Sequence, residues 1–408
     1  MATKLFQRMQ KSTTNVLLVL ALLVEVHSSA SSALSTDSCV STGLQNLGNT
    51  CYLNSQLQCA YHIPKVRDLI LTPLKSDSDV SNDRKGNDSG SGESVPAGRS
   101  MPFQESPSLQ GTRLVFQDML QASRKQTGPV APRILCKVLG IPVYEQQDSQ
   151  EFWKLLLPTF KLPELMDLYQ GAFEDYIVAL DGTGRERRLE EPFLDLSLDV
   201  TSGSVEESLR QLFGEPELLS TAEGNGWRPE KGAEKVDAHK GSLLRTQGLP
   251  SILQLHLKRF NYDWNTDTTS KLNDPFRFPL ELNLSDVCKD GAYSERSQCV
   301  YDLQSVLIHM GEYSSGHYYV YVRPNVRKSE WCRFNDEVLT TGLTFEEVCA
   351  DAYGGRTASK SITKRGPLTF LWRAFQSGER YGFGGRTSNA YVVQYVRRTD
   401  IPRLYNEG

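Results

Sequence analysis

A helical first part followed by a strand-dominated second part predicts an α+β fold, with helices and strands segregated along the chain. Three observations carry this. Before residue 170, Leu53, Leu57 and Tyr61 recur at helical spacing, and "RLVFQDMLQAS" and "DSQEFWKLLLPTF" read as short amphipathic helices. After it, "AFEDYIVAL", "PFLDLSLDV", "ILQLHLKRF", "YDLQSVLIHM", "GHYYVYVRP" and "AYVVQYVRR" alternate apolar and polar residues as strands do. A chain of 408 residues is long enough for one large domain or two ordinary ones with a substantial core.

Taken in order, the N-terminal stretch carries Lys4, Arg8 and Lys11, then an apolar run from Val16 to Val24, then small residues with Ser28-Ser29-Ala30 as a cleavage site. That order fits a secretory or organellar leader, and the run is too short to span a bilayer comfortably. Residues 1–39 are therefore expected to be a leader or disordered extension ahead of a folded domain over 40–400. Residues 44–70 read as a turn followed by a helix. The stretch "KSDSDVSNDRKGNDSGSGESVPAG" is Ser-, Asp- and Gly-rich, so a disordered loop insert is expected over 76–110. Among the strands, "SVEESLRQLF" inserts one helix, with Ser204 and Glu207 expected to form a capping box. Residues 214–247 are polar and irregular. In "ILQLHLKRF", Leu253, Leu255 and Leu257 share one face. Near the end, "YGGRTAS" from Tyr353 is echoed by "YGFGGRTSNA" from Tyr381, which reads either as a small duplication flanking an insert over 355–385 or as an artefact of the sequence.

Composition narrows the class. With 39% hydrophobic and 23% charged residues, the chain is of the soluble globular type. A net charge of −4 gives no reason to expect nucleic acid as a partner. The eight cysteines are dispersed, no C-x-x-C occurs, and the six histidines are scattered, so neither a disulfide scaffold nor a structural metal is expected.

The chemistry centres on "GLQNLGNTCYLNSQLQ". Cys51 follows a Gly-Asn-Thr turn at the start of a helix, where unpaired N–H groups and the dipole favour a thiolate. Asn46 and Asn49 lie just upstream as amide donors, as an oxyanion hole requires. By position alone Cys51 is either a nucleophile or a small buried filler. A thiol nucleophile needs a base and a group that orients it. His317 precedes a strand and follows Gly316, and a hairpin joining that strand to "WCRFNDEVLT" would bring Asn335 beside it, with Asp336 adjacent. Asn in this place fixes the imidazole tautomer. His256 and His309 lie inside alternating strands and read as structural.

The chain resembles the ubiquitin-specific proteases. "GLQNLGNTCYLNSQLQ" is similar to their cysteine box and "GHYYVYVRP…WCRFNDEVL" to their histidine box, with "QQDSQEF", "LPSILQLHLKRFNYD" and "KLNDPFRFP" between them in the family's order. The resemblance covers roughly residues 42–397. It implies a papain-like cysteine protease of right-hand shape, with a helical thumb and an antiparallel β palm and fingers. It implies Cys51 as nucleophile, His317 as general base and acid, Asn335 as the orienting residue with Asp336 able to share that role, and Asn46 as oxyanion donor. It also implies that Asp148, Gln150, Gly316 and Tyr318 hold the ubiquitin tail, whose arginines suit a carboxylate. Read without it, Asp148 is the N-cap of an ordinary helix. Many members carry two C-x-x-C zinc pairs in the fingers. No cysteine lies between Cys136 and Cys288 here, so the chain is closer to the zinc-free branch that includes the herpesvirus-associated ubiquitin-specific protease.

The activity implied is hydrolysis after ubiquitin's C-terminal glycine through an acyl-thioester, without a cofactor. The partners implied are ubiquitin and ubiquitinated proteins, acted on by a monomer with no stable membrane span. The alternatives are a catalytically silent ubiquitin-binding scaffold and a secreted cysteine protease of other specificity. The substrate favours cytoplasm or nucleus, while the leader raises the secretory route.

Overall fold

Cys51–Tyr61 forms helix α1, all of whose residues are buried, the polar ones included. Its amides are each tied to a neighbouring segment, as buried polar groups require. Gln56 donates to the Ser149 carbonyl at 3.1 Å, Gln58 to that of Thr42 at 2.9 Å, and Asn54 to that of Gln45 at 3.2 Å. An Asn/Gln-rich helix can thus be the central post of the helical half. The computed structural model describes residues 42–73, 105–288, 297–313, 315–354 and 387–406. The expected leader over 1–39, the insert over 355–385 and most of the loop over 76–110 lie outside the described residues.

Around α1 stand α2 (Pro64–Leu71), α3 (Pro107–Lys125), α4 (Arg133–Leu139), α5 (Ser149–Thr159) and α6 (Pro163–Tyr169). Three of these, α2, α3 and α6, carry proline in the first turn, where its missing N–H costs nothing. Helix α3 starts earlier than the loop expected over 76–110 allows. Ser106 caps it, its Oγ accepting the Leu109 N–H at 3.3 Å, and a cap followed by proline starts a helix whatever the composition before it.

The second half holds two main sheets. Strands β1 (Gly171–Ala179), β2 (Glu186–Phe193), β4 (Glu217–Leu219) and β5 (Ala238–Leu244) form an antiparallel sheet in the order β2-β1-β5-β4. The larger sheet runs β13-β12-β11-β10-β14-β6-β3, with β9 pairing β10. Its members are β3 (Leu196–Asp199), β6 (Ile252–Lys258), β9 (Glu281–Asn283), β10 (Val300–Glu312), β11 (Ser315–Val322), β12 (Trp331–Asn335), β13 (Val338–Leu343) and β14 (Asn389–Arg397). All its pairings are antiparallel except β3 with β6. A separate hairpin joins β7 (Phe260–Asp263) and β8 (Thr268–Lys271).

The period-2 alternation sends successive residues of the large sheet into different cores. Leu307, Val320, Val322 and Val396 pack with the helices on one face. Val306, Ile308, Tyr319, Tyr321 and Val393 pack on the other with α7 (Val205–Phe213) and α8 (Phe345–Ala352). The helix caps differ from the sequence expectation. Ser204 accepts the Glu207 N–H at 3.2 Å, but the Glu207 carboxylate turns to Arg210, so only half of the expected capping box forms at α7. A full box forms at α8 between Thr344 and Glu347.

Candidate active site

The loop before Cys51 is shaped by one side chain. Asn46 Oδ1 accepts the N–H groups of Gly48 at 3.0 Å and Thr50 at 3.1 Å, closing the turn onto the first residue of α1. Gly48 adopts φ +142°, and a Cβ there would lie 2.8 Å from the Val143 carbonyl oxygen. Asn49 donates through its backbone to Val143 and through Nδ2 to the Tyr144 carbonyl, both at 2.6 Å, so its amide braces the neighbouring loop.

Cys51 is 3% exposed. Burial pushes its thiol up to about 12, opposed by a hydrogen bond from the backbone of Tyr318, and the Asp336 charge adds to the rise. This backbone contact sets the sulfur beside β11 one residue from His317. The β11–β12 hairpin brings Asn335 to His317, with 2.7 Å between Oδ1 and Nε2. An amide oxygen only accepts, so Nε2–H donates to it and Nδ1 is left to take a proton.

Asp336 takes another place. It sits at φ +49°, a left-handed conformation that Asp tolerates, and its Oδ2 is 3.7 Å from His317 Nε2. Its carboxylate accepts Asn46 Nδ2 at 2.9 Å and Asn54 Nδ2 at 2.8 Å, and its carbonyl accepts the Leu44 N–H at 2.9 Å. Asp336 therefore ties the cysteine segment to the histidine segment. Asn46 keeps a second amide hydrogen that this bond does not use.

The rival histidines are accounted for. Burial, then the charges of Lys271 and His317, push His309 down to about 3. Burial lowers His256 too, whose Nδ1 lies 3.1 Å from Ser197 Oγ. Burial favours the neutral form of both rings.

The residues expected at the ubiquitin tail fare differently. Asp148 caps α5, with Oδ1 accepting the N–H of Gln150 at 2.8 Å and of Glu151 at 3.0 Å, and Oδ2 accepting the Tyr391 hydroxyl. Gln150 donates to Asp195 Oδ2 at 2.7 Å. Gly316 packs so closely that a Cβ would fall 2.0 Å from His309 Nε2. The Tyr318 ring is buried against His309 and Tyr391, which leaves its backbone rather than its side chain to face the cysteine. Sequence reasoning did not single out Gln146, whose amide clasps Gly316 by donating to its carbonyl at 2.9 Å and accepting its N–H at 3.3 Å. It also passed over Asp195, a buried carboxylate whose place in the regular alternation of the segment gave no signal. Among the described residues, no group of three or more potential ligands is placed to hold a metal ion.

A thiol at a helix start beside the strand that carries an imidazole–amide pair is the arrangement of the papain-like cysteine protease class. The chain belongs to the ubiquitin carboxyl-terminal hydrolase family, whose model matches residues 42–353. It is 30% identical over 380 residues to the ubiquitin C-terminal hydrolase 12 of Arabidopsis thaliana, covering 89% of this chain and 30% of the relative. It is 28% identical to the ubiquitin carboxyl-terminal hydrolase 15 of Schizosaccharomyces pombe, over 89% of this chain and 28% of the relative. It is 30% identical to the ubiquitin carboxyl-terminal hydrolase 9X of Mus musculus, over 88% of this chain and 16% of the relative. The chain thus spans less than a third of the length of these curated relatives.

Proposed function

We propose that this chain is a deubiquitinating catalytic domain that hydrolyses the bond after ubiquitin's C-terminal glycine. The observation that supports this most is the 2.7 Å His317–Asn335 pair on the strand whose next residue, Tyr318, contacts the Cys51 sulfur, in a member of this family. In this reading Cys51 gives its proton to His317 Nδ1 as the sulfur attacks the glycine carbonyl. The free hydrogen of the Asn46 amide and backbone N–H groups near Cys51 receive the oxyanion; loss of one such donor typically costs about 3 kcal/mol of barrier. The imidazolium, held by Asn335, then protonates the leaving lysine amine, and water releases ubiquitin from the thioester.

Gln150, Gly316 and the Tyr318 backbone are proposed to line the path of the tail. Asp148 contributes there by sharing Oδ2 between Tyr391 and a tail arginine. The partners are ubiquitin and ubiquitinated proteins, met by a monomer in the cytoplasm or nucleus, where the buried thiols stay reduced. The cysteine-free stretch between Cys136 and Cys288 supports the zinc-free branch of the family.

The test is reaction with ubiquitin bearing a C-terminal electrophile. Wild type should form an adduct, Cys51→Ala none, and His317→Ala should label slowly. A folded wild-type protein that binds ubiquitin and forms no adduct would move the assignment to a silent scaffold. Cleavage of unrelated short peptides as fast as ubiquitin conjugates would move it to a protease of other specificity.

A further inference from the structure

Lys271 ends β8 in a site where it is only 8% exposed. An ammonium has three N–H donors, and each finds a backbone carbonyl: His309 at 2.9 Å, Gly311 at 3.1 Å and Thr387 at 2.5 Å. Burial and then the Arg259 charge push the amine down to about 7, opposed by the Glu312 carboxylate.

Two of the three acceptors have a particular place in the sheet. In the β10–β11 register, Met310 stands opposite His317, and its neighbours His309 and Gly311 stand opposite Tyr318 and Gly316. Lys271 therefore grips β10 on both sides of the residue that backs His317. The same stretch of β10 carries the His309 ring that rests on Gly316, and Gly311 holds φ +99° beside the turn into β11. Its third bond reaches Thr387, two residues before β14, which pairs with β10 from the other side.

We propose that Lys271 is a positioning residue for His317: its ammonium fixes the β10 backbone on either side of Met310, and through the β10–β11 pairing fixes the imidazole at its distance from Asn335. The inference rests on His317 being the general base. Lys271→Met removes all three donors from the carbonyls of His309, Gly311 and Thr387. A loosened strand weakens the Nε2–H bond to Asn335, so the loss belongs to the proton-transfer steps rather than to ubiquitin binding.

The experiment uses the full chain with a fluorogenic ubiquitin C-terminal amide. Lys271→Met should lower kcat about ten-fold or more while KM changes less than about three-fold. The acid limb of the kcat/KM profile should move with it, and Lys271→Arg, which restores N–H donors, should return part of the lost kcat. Ubiquitin binding, measured with each variant combined with Cys51→Ala, is the check on folding. The proposal is overturned if kcat and the acid limb match wild type while only thermal stability falls. It is equally overturned if Arg returns nothing, or if neither variant binds ubiquitin, since Lys271 would then serve folding alone. Full turnover by His317→Ala would instead sink the underlying assignment of the base, whatever Lys271→Met does.

Discussion

Asn335 and Asp336 are neighbours in the chain with separate tasks. Asn335 accepts from the imidazole, and Asp336 is held by two asparagines of the cysteine segment. Asn335→Ala should lower kcat/KM by roughly 10²–10⁴-fold, because the tautomer is no longer set, while Asn335→Asp retains an acceptor and most of the rate. Steady-state assays of the two variants separate a lost acceptor from a lost amide. His309 carries a pH prediction. Its pKa is about 3 in the fold against 6.5 when free, so the unfolded chain binds the proton more readily. Stability is full above pH 6.5 and is lost as pH falls through that value toward 3. His309→Phe should remove about 2–3 kcal/mol of the loss between pH 7 and 4.5, read from urea midpoints at the two pH values.

Elements are set by their ends and contacts. Thr344→Ala removes the Oγ1 half of the α8 box, leaving its backbone N–H on the Glu347 carboxylate, and should cost about 1 kcal/mol, seen as a lower Tm. At α7 the cap rests on Ser204 alone, since Glu207 pairs with Arg210 on an exposed face. Glu207→Ala should therefore leave stability within about 0.5 kcal/mol by the same melting experiment. The reciprocal box expected at Ser204 and Glu207 failed for a physical reason: the motif satisfies a local pattern, and a cation one turn on competes for the carboxylate.

At the scale of the molecule, one sheet serves two cores. Val320 and Val322 face the helices while Tyr319 and Tyr321 face α7 and α8, so neither core is complete without β11. A single calorimetric transition is the expected outcome, with equal calorimetric and van't Hoff enthalpies. Two resolved transitions would show that the helical half keeps its core without the sheet.

The order of helices and strands, the cysteine and histidine boxes and the Asp148 cap were legible because each is written in local spacing or a contiguous motif. Tertiary structure decided what joins them. Asn54 meets Asp336 across 282 residues, and Gln146 meets Gly316 across 170. Lys271 finds its carbonyls on β10 and just before β14, neither of which pairs with β8. No periodicity encodes such pairs, since a buried donor is committed by whichever carbonyl the packed backbone sets before it. The sequence by itself marked the candidates for the chemistry. Only the folded chain determined that Asn335 meets the imidazole, that Asp336 ties the cysteine and histidine segments, and that burial raises the Cys51 thiol, because distance and burial exist only once the helices close on the sheet.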